Sequence, residues 1–456
     1  MNNKTNYLLQ EDTIAAIATP PGDGAISIVR LSGKKAFAIA ESIFSKGIKK
    51  APSHTVHFGH ILDEKKKTLD SVLLLIMKGP NSYTGEDIIE INCHGGNIVT
   101  KKILQRILEK GARPAEAGEF TYRAFQNKKI DLAQAEAVQE LIAAQNETAM
   151  ISAKNHLEGK LSEKILNFQK RLTDIAAIIE AWVDFPEEGL EFASEEEVIN
   201  SLEDTKKQME ELSSTYENGR KIKEGIKLCL CGTPNVGKSS LLNLFLGKDR
   251  AIVTEIPGTT RDILEEDLKI GPFNFHITDT AGIRKTNETI EKEGIKRSKK
   301  AIENADIILL LLDASKGLML DDYDLMNSCP KEKTLVIWNK IDLALPSINL
   351  EDKAYQISVK ENKGIDDLLS TIHQKIWHGK MPSKKDIYLT HARHKKALDQ
   401  AIEACKKTIE GLKENRSAEF VSLDIRHCLM SLASIIGTDV TEDILSSIFS
   451  QFCVGK

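Results

Sequence analysis

A chain of 456 residues has room for about three domains, and its 41% hydrophobic content is enough to give each one a core. A formal net charge of −5 excludes a protein that coats nucleic acid by bulk basicity, so any RNA contact must come from local patches or a partner. Seven cysteines with no pair of C-x-x-C units read as reduced thiols without a zinc site. Neither a secretory leader nor a membrane span is expected, which points to the cytoplasm and no membrane partner.

Residues 1 to about 125 alternate short apolar runs with turn signals: TIAAIATPPGDGAISIVRLSG, TVHFGHIL, SVLLLIM and DIIEINCHGG. This predicts an α+β domain of several strands, interrupted by one helix near 98–110. From Asp131, apolar residues recur every three or four positions for about fifty residues, the pattern of one very long helix or two in succession, ended by Pro186 in an acidic loop. Helical spacing resumes between Ser194 and Asn218 and passes into the basic RKIKEG. From Ile226 to about Trp377, strand and helix patterns alternate, which predicts a parallel sheet with helices on both faces. A polar linker, HGKMPSKKD, leads to a last helical stretch from about Ile387 to Ser450. The simplest organisation inserts the α/β unit into a helical domain, with boundaries at 1–125, 126–224, 225–382 and 383–456.

The α/β unit opens on IKLCLCGTPNVGKSSLLNLFLG, an apolar strand, a turn and an amphipathic helix. Its turn carries Gly-x-x-x-x-Gly-Lys-Ser at Gly232, Gly237, Lys238 and Ser239. Glycines let backbone N–H groups wrap phosphate oxygens, the helix N-terminus adds partial positive charge, Lys238 can reach the β- and γ-phosphates, and Ser239 can hold Mg²⁺. Asn235, Val236, Gly237, Lys238, Ser239 and Ser240 are therefore candidate nucleotide contacts.

Base choice is written further along. Asn339, Lys340, Ile341 and Asp342 follow the run TLVIW, at the carboxyl end of a predicted strand. The Asp342 carboxylate can accept from N1–H and the exocyclic amine of guanine, whereas adenine would leave a buried charge unpaired, so GTP is favoured over ATP. Ser358, Val359 and Lys360 after the next strand can offer backbone N–H to the guanine O6. Asp279, Thr280, Ala281 and Gly282 end the FNFHIT strand, where the aspartate can hold Mg²⁺ through water and Gly282 can sense the γ-phosphate. Thr260, in PGTTRD, is the expected second Mg²⁺ ligand. The residue after Gly282, Ile283, cannot orient an attacking water, so a polar residue from the following segment must, and Glu288, Glu291 and Glu293 are all available.

Over nearly its whole length the chain resembles the MnmE (TrmE) family of bacterial tRNA-modification GTPases. The blocks that carry the likeness are TPPGDGAISIVRLSG, PNSYTGEDIIEINCHGG, GEFTYRAFQNKKIDLAQAEAV, AWVDFPEE, the inserted nucleotide unit and the terminal FCVGK. The resemblance implies an N-terminal α+β folate-binding domain that makes a homodimer, a discontinuous helical domain and an inserted Ras-like P-loop GTPase domain. It also implies a flavoprotein partner, MnmG (GidA). With that partner the family adds an aminomethyl or carboxymethylaminomethyl group to carbon five of wobble uridine in certain tRNAs. The one-carbon donor is a tetrahydrofolate derivative (5-formyl or methylene form), and GTP hydrolysis needs K⁺ as well as Mg²⁺.

Matched position by position, the resemblance makes Asn235 a K⁺ ligand together with Thr254, Ile256 and Thr259, and extends the GTP contacts through Glu255, Pro257 and Gly258. It raises Glu291 above its neighbours as the catalytic residue that positions water. Arg30, Glu90, Lys129 and the terminal Lys456 become the folate-binding set. Cys453 is expected to be packed rather than catalytic. Two departures stand out: Gly22-Asp23-Gly24-Ala25-Ile26-Ser27 lacks the usual extra glycine and basic residue, and Val359 replaces a common alanine where only backbone is used. Against this, a regulatory or ribosome-assembly GTPase would share the nucleotide motifs but carry a basic RNA-binding module instead of the N-terminal blocks. A structural scaffold with a spent site would have no need of the full motif set.

Overall fold

The computed structural model describes residues 12–184, 194–248, 265–279, 299–346, 354–377, 379, 381–383 and 386–456. The chain divides into two compact units: Met1–Ile142 with Asn155–Lys206 and Ala397–Lys456, and Ala143–Lys154 with Lys207–Lys396.

In the first unit, strands β1 (Ile14–Ile17), β2 (Ile26–Ser32), β3 (Thr55–Leu62), β4 (Thr68–Met77), β5 (Ile88–His94) and β6 (Arg113–Pro114) form one sheet in the order β3-β4-β5-β2-β1-β6. Every pairing is antiparallel except β1 with β6. Alternation sends Val29, Leu31, Ile89 and Ile91 into a core shared with α1 (Ala36–Ile43) and α2 (Asn97–Glu109). Only α2 is expected from the sequence. Helix α1 buries Ala36, Ile39, Ala40 and Ile43 at helical spacing, but eight residues are too few for periodicity to stand out. Helix α3 (Glu119–Gln126), also unforeseen, buries six of its eight residues and so shows no polar face.

The long helical stretch corrects the expectation of one or two helices. It is three: α4 (Leu132–Ala143), α5 (Glu147–Leu157) and α6 (Lys160–Asp184). The first break is at Asn146, whose side-chain oxygen accepts the Ala149 N–H at 2.8 Å, as a helix cap does. The second is at Gly159, whose φ of +82° is open to glycine and costly for other residues. The predicted stop at Pro186 lies outside the described residues. Ser194 and Glu197 form a reciprocal capping box that starts α7 (Glu195–Ser214), and α8 (Tyr216–Glu224) follows.

The second unit carries β7 (Ile226–Cys231), α9 (Lys238–Lys248), β8 (Glu265–Ile270), β9 (Phe273–Asp279), β10 (Ile307–Asp313), α10 (Leu320–Ser328), β11 (Thr334–Asn339), β12 (Tyr355–Gln356) and α11 (Ile365–Ile376). Its sheet runs β12-β11-β10-β7-β9-β8. The expected parallel pattern holds for five strands, while β8 runs antiparallel to β9 across the tight turn at Gly271 and Pro272. All seven residues of β10 are buried, as a central parallel strand covered on both faces requires. Cys229 and Cys231 lie on one face of β7 with their sulfurs 3.6 Å apart.

Three helices close the chain: α12 (Ala392–Lys413), α13 (Ala418–Ile436) and α14 (Glu442–Phe449). Within the first unit, α13 packs along α6, and Arg426 donates to Glu180 at 2.8 Å. All seven cysteines are thiols. Among the described residues there is no His, Cys, Asp or Glu cluster that could hold a metal, and no helix long and apolar enough to cross a membrane.

Candidate functional sites

Parallel strands β7, β10 and β11 deliver the sequence motifs to one edge of the second sheet, at their carboxyl ends, where open α/β sheets bind ligands. The loop between β7 and α9 turns through Gly232 (φ +143°), Asn235 (φ +66°) and Gly237 (φ +103°). A side chain at Gly237 would also strike the Asn339 amide, so both conformation and space demand glycine there. The Lys238 ammonium is held at the root of this loop by the carbonyls of Gly232 (2.5 Å) and Thr233 (3.0 Å). Val236 is buried in the core beneath and can offer only backbone, while Ser239 and Ser240 are exposed on the first turn of α9.

Two side chains, Asn339 and Lys340, brace the loop against the strand ends beside it. Asn339 is buried at the end of β11; its amide donates to the Val236 carbonyl at 2.8 Å and its oxygen accepts the Val359 N–H at 3.2 Å. One asparagine thus joins the phosphate loop to the Ser358–Lys360 turn, and the Val359 N–H is engaged inside the protein. Lys340, at φ +66°, donates to the Asn235 carbonyl and to Asp313 Oδ2, both at 2.7 Å. Burial pushes the Asp313 carboxyl up, but Lys340 and the hydroxyl and N–H of Ser315 outweigh it and hold the group below its ordinary range. The sequence reading missed Asp313, although a carboxylate closing a wholly apolar strand, IILLLLD, is a signal it could have used.

Asp342 is half-buried and accepts the Ser358 hydroxyl at 2.6 Å, which is the main reason its carboxyl is held below the usual range. Ser358 is itself fully buried and accepts the Glu361 N–H at 3.1 Å, so the hydroxyl that aims the carboxylate is fixed from behind. Ile341 packs in the core and its N–H donates to the Ile357 carbonyl at 3.3 Å. Asp279 ends β9 opposite Leu230 of β7. Thr254, Glu255, Ile256, Pro257, Gly258, Thr259, Thr260, Thr280, Ala281, Gly282 and Glu291 lie outside the described residues, as do Glu288 and Glu293.

The Ser239 hydroxyl is a hard oxygen donor of the kind Mg²⁺ takes. The Asn235 carbonyl is occupied by Lys340, so a cation there would meet the exposed side-chain amide instead.

A second set of candidates gathers on the first sheet. Arg30 and Glu90 are directly opposite across β2 and β5, and Arg30 Nε donates to Glu90 at 2.7 Å. The guanidinium lies 5.5 Å from the centre of the Phe120 ring and 6.0 Å from that of Tyr83, and donates to the Gly455 carbonyl at 3.2 Å. The terminal segment is tied to α3 from the other side: Phe120 N–H donates to the Lys456 carbonyl at 3.2 Å, and Ala117 bridges Val454. Arg30 and Glu90 therefore pair directly, and Lys456, next in the chain to Gly455, is held by Phe120, whose ring faces the Arg30 guanidinium. Lys129 is exposed and donates to the Pro80 carbonyl at 3.0 Å, on the loop that brings Tyr83 to Arg30. A carboxylate beside aromatic rings and a guanidinium fits the donor edge and flat face of a pterin. Cys453 is exposed, contrary to the packed thiol expected, because the neighbouring Phe452 takes the buried place instead.

Family models match two segments: residues 13–129 match the GTP-binding protein TrmE N-terminus, and residues 132–453 the MnmE helical domain. Among curated relatives, the tRNA modification GTPase MnmE of Protochlamydia amoebophila (strain UWE25) is 52% identical over 98% of each chain. That of Clostridioides difficile (strain 630) is 43% identical over 98% of this chain and 99% of the relative. Among solved structures, Aquifex aeolicus Era bound to GDP.AlF4- is 26% identical over 39% of this chain and 66% of that one, with a TM-score of 0.27.

Proposed function

Because the chain belongs to the MnmE (TrmE) family of tRNA modification GTPases, we propose that it hydrolyses GTP and, with the flavoprotein MnmG (GidA), installs the aminomethyl or carboxymethylaminomethyl group on carbon five of wobble uridine. The observation that carries the nucleotide half is Asp342, aimed by a buried serine at a strand end and joined to the phosphate loop through the Asn339 brace. A guanine placed there finds an oriented acceptor for its N1–H and exocyclic amine, and a loop of N–H groups for its phosphates.

In this reading Ser239 and Thr260 hold Mg²⁺, which supplies charge at the phosphates. Asn235, Thr254, Ile256 and Thr259 hold K⁺, and Glu291 orients the attacking water. Lys238 neutralises charge developing on the β–γ bridge. Residues 1–125 bind a tetrahydrofolate through Arg30, Glu90, Lys129 and Lys456 and make the homodimer, and the protein works in the cytoplasm. A purely regulatory GTPase would have no use for an Arg30–Glu90 pair set against two aromatic rings and the Gly455 carbonyl.

Nucleoside analysis of tRNA from cells lacking this chain tests the reading. The modified wobble uridine should disappear, and removing MnmG as well should change nothing further. Retention of the modification would refute it.

A further inference from the structure

The phosphate loop has an anchor that none of the nucleotide motifs contains. Thr233 is bonded from two sides: its carbonyl accepts the Lys238 ammonium at 3.0 Å, and its hydroxyl donates to Asp322 Oδ1 at 3.2 Å. Asp322 is 89 residues further along the chain, in the first turn of α10, and only 2% exposed. Its other oxygen, Oδ2, accepts the Met319 N–H at 3.0 Å. An aspartate at this helix position is usually explained by capping alone. Capping accounts for Oδ2; it does not account for Oδ1, which is bonded to the phosphate loop.

We propose that Asp322 is a positioning residue of the nucleotide site, fixing through Thr233 the carbonyl against which the Lys238 ammonium rests. The inference rests on the reading of this unit as a guanine-nucleotide site. Lys238 can serve the β- and γ-phosphates only from a defined root, and two carbonyls in a turn supply it. Turns are easily rotated, and a charge-assisted hydrogen bond donated to a buried carboxylate is among the stronger ways to stop one. Helix α10 thereby fixes the loop's geometry without touching a nucleotide.

The test compares Thr233→Val, Thr233→Ser and Asp322→Asn in the full-length protein, reading affinity for a fluorescent GDP analogue, GTP turnover and melting temperature. Thr233→Val removes the hydroxyl and leaves the helix cap intact. It should weaken GDP binding roughly three- to tenfold and raise KM more than it lowers kcat, with the melting temperature falling by no more than a few degrees. Thr233→Ser should restore binding. In the Thr233→Val background, Asp322→Asn should cost no further affinity, since the hydroxyl that ties Asp322 to the loop is already gone. Wild-type affinity in Thr233→Val, or failure of serine to rescue it, would overturn the inference alone. A wild-type protein that takes up no GDP would overturn the nucleotide reading and this inference with it.

Discussion

At the strand ends of the second unit, Asp342 is aimed by the neutral hydroxyl of Ser358, whereas in the N-terminal sheet Glu90 is aimed by the charged guanidinium of Arg30. The first carboxylate keeps its charge for whatever arrives. The second is already paired, and a ligand must share or replace that pairing. The same contrast holds around each group. Lys340 is spent on Asp313 and on loop backbone, so it acts as a brace, while Arg30 faces two aromatic rings as well as its partner. On the proposed reading, one site discriminates between bases by geometry, and the other takes a flat ligand whose affinity depends on how charge is shared.

Three changes would break or sharpen this contrast. The largest effect should come from Asp342→Asn, which replaces an acceptor-only carboxylate by an amide that presents a donor. GTP affinity should fall roughly a hundredfold, and preference should move towards xanthosine nucleotides, read by competition binding. Unchanged specificity would mean that the oriented carboxylate is not the base reader.

A smaller effect is expected from Glu90→Gln. It strips Arg30 of its counter-charge while keeping an acceptor, so uptake of 5-formyltetrahydrofolate should weaken about tenfold and GTP binding should stay as it was. Equal loss at both sites would mean that the substitution damages the fold and says nothing of the pocket.

The smallest effect concerns acid. Asp313 is held below the ordinary carboxylate value in the folded protein, so its contribution to stability is fully present above the unfolded value, about pH 4, and disappears as pH falls through the lower folded one. Lys340→Met should lower the melting temperature by a few degrees at pH 6 and by progressively less as the pH falls below about 4. A difference that persisted or grew in acid would show that Lys340 stabilises the unit by some other route.

Much of this was readable from letters, and the exceptions have physical reasons. Apart from β6 and β8, the strands of both sheets lie in apolar runs that stand out from the turns around them, as does helix α2, and the phosphate and base motifs are local because they work largely through backbone. The breaks at Asn146 and Gly159 escaped because a polar cap and a left-handed turn do not interrupt an apolar stripe. The antiparallel β8 escaped because its pattern, EEDLKI, alternates too little to be told from a loop. Within the nucleotide site, the braces link residues that only the sheet order makes neighbours: Lys340 with Asp313, 27 positions apart, and Thr233 with Asp322, 89 apart. Arg30 and Glu90 were named individually, but their being opposite one another depends on the β2–β5 register, which no motif encodes.

The most direct test of the account is equilibrium binding of GTP and ATP to the full-length protein under identical salt and Mg²⁺. Asp342 held by Ser358 predicts that GTP binds at least about a hundredfold more tightly than ATP, because adenine would leave the carboxylate unmatched. Comparable affinity for the two nucleotides would contradict it.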